Sequence, residues 1–339
     1  MKLKKRIILI YGGEGCECEI SKKSAKSLYA FIDKSKFQII PVFISTDGSW
    51  YITDGISDSK LCPTYPVRIN SRSGLYVDGD ITEVDLAIPV LHGDFGEDGI
   101  IQGALDCAHI PYLGCGVFAS AVCADKICTK IIAEHLKIPS AKFVATDPST
   151  TESEAILRAE AAFSYPMFLK PSGLGSSIGA ARANTRRELS SAFAAARAIS
   201  ERILIEECVD VLYELECGAL TVGAKTHVSP SGRIYTNGAF YDYGGKYLSK
   251  DSPKTAHGVR DNPEIMRLAA EYSEALIRTV GIRTLSRIDF FYTRSGELLF
   301  NEINTLPGMT ETSLYPLLTE DMGFPKNEYI NILISEAVK

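Results

Sequence analysis

Four acidic, amide and basic residues near the C-terminus are spaced so that they could meet. The stretch runs Ser286-Arg287-Ile288-Asp289, continues through Ser295-Gly296, and ends Asn301-Glu302-Ile303-Asn304. β-Prone runs flank Ser295-Gly296, which is a hairpin signal. With the turn centred there, Asp289 faces Glu302 and Arg287 faces Asn304. Side chains alternate along a strand, so all four project from one sheet face. Three oxygen donors beside one guanidinium suit a hard cation that bridges phosphates, and the arginine is left to meet a developing oxyanion. A slip of one residue would scatter the set. A half-solvated hairpin decorated with charges is the competing reading.

Three further segments have chemical content. Lys170-Pro171-Ser172-Gly173-Leu174-Gly175-Ser176-Ser177-Ile178-Gly179 combines a point charge with glycines that free backbone N–H groups to converge on an anion. Its spacing is neither the dinucleotide fingerprint nor a Walker loop, and a polar surface turn would explain it equally well. Gly12-Gly13-Glu14-Gly15-Cys16-Glu17-Cys18-Glu19 joins the first apolar run to the first helical pattern, where ligands sit in parallel sheets. Its glutamates favour a cationic guest, or else merely complement a helix N-terminus. His92-Gly93-Asp94-Phe95-Gly96-Glu97-Asp98-Gly99 follows another apolar run. His92 alone would suit a structural role; the surrounding glycines at a sheet edge point to a site.

The elements that must position these residues begin with apolar runs at 6–11, 37–44 and 86–91, predicted as strands. Ala25, Leu28, Tyr29 and Ile32 recur at helical spacing between the first two. Strand, helix and strand in that order imply a parallel sheet with crossover helices. Residues 46–80 are polar and turn-rich and receive no assignment. One helix is predicted over 118–136, before Pro139. Beyond it come shorter α+β pieces: strands at 142–145, 167–170 and 203–207, with helices at 151–162 and 188–200. Strands are then predicted at 214–222, 233–240, 286–293 and 297–303, with helices over 263–280 and from about 327.

Composition narrows the class. The 339 residues suggest two or three domains at about 150 residues each. A hydrophobic share of 45% with 23% charged residues fits a folded protein, not a disordered one. A net charge of −6 argues against a dedicated nucleic-acid binder. No run approaches the ~20 apolar residues that span a bilayer. The basic start before Ile7 imitates a signal peptide, but its apolar run ends at Gly12-Gly13, so a cytoplasmic location is expected. Nine cysteines without zinc spacing are expected to be buried, reduced thiols.

Taken together and in order, these segments resemble the D-alanine–D-alanine ligases of the ATP-grasp superfamily. The resemblance extends from Gly12-Gly13 to Tyr315-Pro316 and includes Phe240-Tyr241-Asp242-Tyr243, Lys246-Tyr247 and Thr305-Leu306-Pro307-Gly308-Met309-Thr310. It implies an α/β and α+β chain in which an N-terminal Rossmann-like domain (1–125) precedes a central (126–207) and a C-terminal (208–339) ATP-grasp subdomain. It also implies an ATP-dependent carboxylate–amine ligase that joins two D-alanines through a D-alanyl phosphate, for peptidoglycan precursors. Two Mg²⁺ (or Mn²⁺) ions per site and a homodimer without nucleic-acid or membrane partners complete the expectation.

The same resemblance assigns residues. Asp289, Glu302 and Asn304 match metal ligands, and Lys126, Lys170 and Ser177 match phosphate contacts. Glu206, Glu207, Val209, Glu214 and Phe240 match residues around the nucleoside. Glu17 matches the holder of the first substrate's ammonium, linked to Ser176 and Tyr247, and His92 lies near that substrate's carboxylate. Lys246 and Ser313 match residues near the phosphate and the second carboxylate, and Arg287 with the Gly308 N–H matches the oxyanion donors. Tyr247 is similar to the alanine-making branch. Leu314 stands where lactate- or serine-making relatives have arginine, although an apolar pocket rejects an added hydroxyl by only about a hundredfold.

The chain departs from the family at Gly244-Gly245, at Lys254-Thr255-Ala256-His257-Gly258 and at Glu207-Cys208. The two glycines raise the entropy cost of ordering their loop. D-serine as second substrate and a non-catalytic nucleotide binder are the alternatives; a nicotinamide enzyme is distant.

Overall fold

The computed structural model describes residues 4–57, 60–69, 71–230, 232–235, 254–257, 262–310 and 313–339. The chain begins with β1 (Lys5–Gly12), crosses over through α1 (Cys18–Phe31) and returns in β2 (Phe37–Ile44). β1 and β2 pair in parallel, as the strand–helix–strand pattern predicts. Ile7 through Tyr11 are fully buried because both faces of β1 are covered.

The unassigned stretch forms four antiparallel strands: β3 (Trp50–Thr53), β4 (Lys60–Ile69), β5 (Arg72–Val77) and β6 (Asp80–Glu83). With β7 (Leu86–Pro89) they make a seven-stranded sheet ordered β6-β5-β4-β3-β2-β1-β7. These strands are short, partly exposed and rich in turn residues, so they lack the apolar runs that mark β1 and β2.

α2 (Ile100–Cys107) follows the His92–Gly99 loop. The single helix predicted over 118–136 is two: α3 (Val117–Ala124) and α4 (Lys126–His135). Asp125 breaks it, with φ −89° and ψ 104°, and its carboxylate accepts the Cys128 N–H as the N-cap of α4. That carboxylate also receives the Ser172 hydroxyl at 2.6 Å and the Arg202 guanidinium. The tertiary partners of Asp125 favour a cap where periodicity alone would run on.

A four-stranded antiparallel sheet ordered β10-β9-β11-β8 comes next. Its elements are β8 (Phe143–Ala145), α5 (Glu152–Ala162), β9 (Met167–Pro171), β10 (Ala181–Ala183), α6 (Arg186–Arg197) and β11 (Ile203–Glu207). Thr151 and Thr185 cap the two helices by accepting the N–H groups of Glu154 and Glu188. The helices cover one face and enclose Ala155, Leu169, Leu189, Phe193 and Ile205.

The third sheet contains β12 (Val211–Val222), β13 (Lys225–Val228), β14 (Gly232–Tyr235) and β15 (Lys254–Ala256). After α7 (Pro263–Val280) it is completed by β16 (Leu285–Thr293) and β17 (Leu298–Asn304). Its order is β15-β14-β12-β16-β17, with β13 on β12. Pro263 at the start of α7 and left-handed Gly281 after it delimit the helix as the sequence predicts. α8 (Leu314–Asp321), which periodicity did not reveal, and α9 (Tyr329–Ala337) close the chain. α9 packs on the first sheet: Ile330 and Ile334 share a core with Ile7 and Leu28.

All nine cysteines are free, but only Cys115, Cys123 and Cys217 are buried, which corrects the expectation for the other six. No helix among the described residues is long and apolar enough to cross a membrane.

Candidate active site

The hairpin β16–β17 places Asp289 opposite Glu302 and Arg287 opposite Asn304. The route differs from a plain two-residue turn. Tyr292 pairs with Leu298 and Phe290 with Phe300, a register that would set Glu302 against Ile288. Asn301 is an extra residue between Phe300 and Glu302, a β-bulge that restores the expected pairs. Its side chain is thereby aimed at Lys170, whose Nζ donates to Asn301 Oδ1 at 3.3 Å.

Within the row, Arg287 grips Asp289 with both arms of its fork, Nε to Oδ1 at 2.7 Å and Nη2 to Oδ2 at 2.6 Å. Asn304 Nδ2 donates to the same Oδ2 at 2.9 Å. Glu216, buried on β12 directly across the ladder from Asp289, approaches Arg287 Nε to 3.2 Å. Burial opposes the charge on Arg287, but Asp289 and Glu216 outweigh it and hold its proton well above the ordinary range. Oxygen donors on one face, with no sulfur or imidazole among them, fit a hard divalent cation.

Two lysines reach this row from neighbouring elements. Lys126, the first residue of α4, lies 3.4 Å from Glu302 and donates to the Leu174 carbonyl in the glycine-rich loop at 2.8 Å. Its backbone N–H is bound by Ser172 O at 2.9 Å, so α4 is locked to the end of β9. Lys170 pairs with Glu206 at 2.7 Å. Lys130, one helical turn beyond Lys126, holds the other oxygen of Glu206 and is itself 1% exposed. Burial drives Lys130 below its usual range. Burial also works to raise Glu206, but Lys170 and Lys130 prevail and keep its carboxyl low.

At the edge of the first sheet, Glu17 is buried in the turn before α1 and receives the Ser176 hydroxyl from the glycine-rich loop, 159 positions away. Ser176 and Ser177 both have left-handed backbones, at φ 48° and 60°. A Cβ on Gly93 would come within 2.2 Å of Glu17 Oε2, so only glycine lets the two loops approach. His92 Nδ1 lies 3.1 Å from the Leu306 carbonyl, where it must donate, leaving Nε2 to accept from Ser24 at 3.0 Å. Burial lowers the His92 pKa to about 4. Gly308 sits beside Ser313, whose hydroxyl oxygen would be 3.0 Å from a Cβ there and accepts the Thr310 N–H at 3.0 Å. Leu314 is buried at the start of α8.

Glu97 is the meeting point of these groups. Burial first, then the charges of Glu17 and Glu302, push its carboxyl up to about 8 against the opposing pull of Arg287 and Lys126.

Glu207 lies at the edge of β11, accepting the Lys142 N–H at 2.9 Å. Val209 lies in the link to β12, and Glu214 on β12 pairs across the ladders with Phe291 and Ile234. Phe240, Lys246 and Tyr247, like Gly244-Gly245, lie outside the described residues. Reading the sequence by motif passed over Glu216, Lys130 and Asp125, and quoted Glu97 and Asn301 within motifs without giving them a role. Two signals were present: Glu216 alternates with Glu214 on one strand face, and Lys130 follows Lys126 at i+4.

Known proteins share this arrangement of elements. The family described as D-ala D-ala ligase N-terminus matches residues 6–115, and D-ala D-ala ligase C-terminus matches 132–335. A D-alanine–D-alanine ligase of Streptococcus equi subsp. zooepidemicus is 35% identical, over 98% of this chain and 95% of the relative. Among solved structures, the VanG D-Ala:D-Ser ligase of Enterococcus faecalis superposes with a TM-score of 0.89 at 33% identity, covering 99% of this chain and all of that one. D-alanyl-alanine synthetase A of Vibrio cholerae gives 0.88 at 32%, covering both chains fully.

Proposed function

The chain belongs to the D-alanine–D-alanine ligase family, ATP-dependent ligases of the ATP-grasp fold, and on that premise we propose that it joins two D-alanines for peptidoglycan precursors through a D-alanyl phosphate. The observation that best supports this reading is the row Glu216–Asp289–Glu302 with Arg287 and Asn304 beside it, approached by Lys126 and bridged to Lys170 through Asn301.

In this reading Lys126, Lys170 and Ser177 hold the ATP phosphates between the second and third sheets. Glu206, Glu207, Val209, Glu214 and Phe240 surround the nucleoside. Asp289, Glu302 and Asn304 would hold Mg²⁺ or Mn²⁺, two ions per site, which when bound offset phosphate charge during transfer. Glu17, oriented by Ser176 and Tyr247, takes the first D-alanine's ammonium, while neutral His92 faces its carboxylate. That carboxylate attacks the γ-phosphorus and ADP leaves. The amine of the second D-alanine, whose carboxylate Ser313 and Lys246 receive, then attacks the acyl carbon. Arg287 and the Gly308 N–H stabilise the tetrahedral oxyanion until phosphate departs. Leu314 shapes the pocket for the second methyl.

The same proposal includes the domain division 1–125, 126–207 and 208–339, which one sheet in each span supports, and a cytoplasmic location. Exposed Ile100, Val117 and Phe118 favour a homodimer.

Phosphate release with ATP, Mg²⁺ and pairs of D-amino acids tests the reading. D-alanine alone should give D-alanyl-D-alanine as the main product. Preferred turnover with D-serine would move the assignment to the D-Ala:D-Ser activity named for the VanG structure, and ATP binding without product would reduce the chain to a nucleotide binder.

A further inference from the structure

Both oxygens of Asp289 already accept hydrogen bonds. Its Oδ1 takes the Nε–H of Arg287, and its Oδ2 takes both Nη2 of Arg287 and Nδ2 of Asn304. A divalent cation ligated by this carboxylate would sit roughly 2.1 Å from an oxygen that the guanidinium now covers. Two positive centres on one carboxylate repel, so a bound cation favours a shift of the fork away from Asp289.

Its possible destinations are few. Gly218 lies opposite Arg287 on β12, and a Cβ there would already be 3.0 Å from Leu318 Cβ, so α8 closes that side. Glu302 is engaged by Lys126 and belongs to the same metal set. A guanidinium left without a carboxylate in this half-buried row would be costly. Glu216 is 4% exposed, lies in register beside Asp289, and has an oxygen already 3.2 Å from Arg287 Nε.

We propose that Glu216 is a positioning residue that receives the Arg287 guanidinium when a cation occupies Asp289, keeping the fork aimed at the reacting centre. Arg287 thus acts as an internal counter-cation, on Asp289 before metal binding and on Glu216 after it. This rests on the metal reading of Asp289, Glu302 and Asn304 given above.

Mn²⁺ binding in the presence of ADP, followed by electron paramagnetic resonance, tests it. Glu216→Gln should weaken Mn²⁺ binding about tenfold, because Arg287 then has no other carboxylate and stays on Asp289. Glu216→Asp should recover part of the loss. Arg287→Gln should tighten Mn²⁺ binding, and adding Glu216→Gln to it should cause little further change. In turnover, Glu216→Gln should raise the Mg²⁺ concentration needed for half-maximal rate more than it lowers kcat. An equal loss from Glu216→Gln in the unaltered protein and in the Arg287→Gln variant would mean simple charge attraction and overturn the exchange while leaving the metal site standing. An unchanged affinity in Glu216→Gln would also overturn it. Failure of the unaltered protein to bind Mn²⁺ would remove the metal reading and this proposal together.

Discussion

Asn301 lies in β17 next to Glu302, and it is the extra residue that lets Glu302 face Asp289. The same bulge turns the Asn301 amide toward Lys170 on the neighbouring sheet. One irregularity therefore aligns the proposed metal ligands and ties them to a proposed phosphate lysine. Asn301→Ala should raise KM for ATP about three- to tenfold with kcat nearly unchanged, the pattern of lost uniform binding. Steady-state kinetics at saturating D-alanine check this; an equal fall in kcat would place Asn301 in the reaction itself.

Gly93 and Glu17 are close because Gly93 has no side chain. Gly93→Ala should displace the Glu17 carboxylate and disturb its bond from Ser176. We expect kcat/KM for the first D-alanine to fall about 10- to 100-fold, or roughly 1.4 to 2.7 kcal/mol of transition-state stabilisation. ATP affinity, measured by calorimetry, should change little.

Asp125 caps α4 and also holds Ser172 and Arg202. Asp125→Ala should lower stability by about 1 to 2 kcal/mol, the range for a lost cap. Because the Lys126 N–H is bound to Ser172 O, the same change should loosen Lys126 and weaken ATP binding. Denaturant unfolding and nucleotide titration separate the two effects.

Two groups give opposite pH signatures. His92 titrates near 4 in the folded chain against about 6.5 when exposed. The unfolded state therefore binds more protons between those values, and the stability associated with neutral His92 is lost as pH falls from 6.5 towards 4. Glu97 shows the reverse: its folded value is about 8, so its contribution is complete below about 4.3 and declines as pH rises through 8. Denaturation midpoints across pH 4 to 9 should lose their acid slope in His92→Asn and their alkaline slope in Glu97→Gln.

Much of this protein was legible in its residue order. β1, β2, α1, α7 and the hairpin pairs announce themselves by apolar period, by β-prone runs and by the turn at Ser295-Gly296, all local properties of the chain. The ordered motifs also named the family, because backbone-hugging glycines and oxygen donors leave little choice of residue type. What remained hidden depends on partners distant in sequence. Asp125 interrupts a helix because Ser172 and Arg202 draw its carboxylate, and the bulge at Asn301 arises where sheet pairing and Lys170 outweigh a regular ladder. Glu216 shares a strand face with Glu214, a local pattern that does not name its partner; it meets Arg287 only because β12 is laid beside β16. Burial and cross-strand register are properties of the assembled sheet, so those roles were decided by tertiary structure alone.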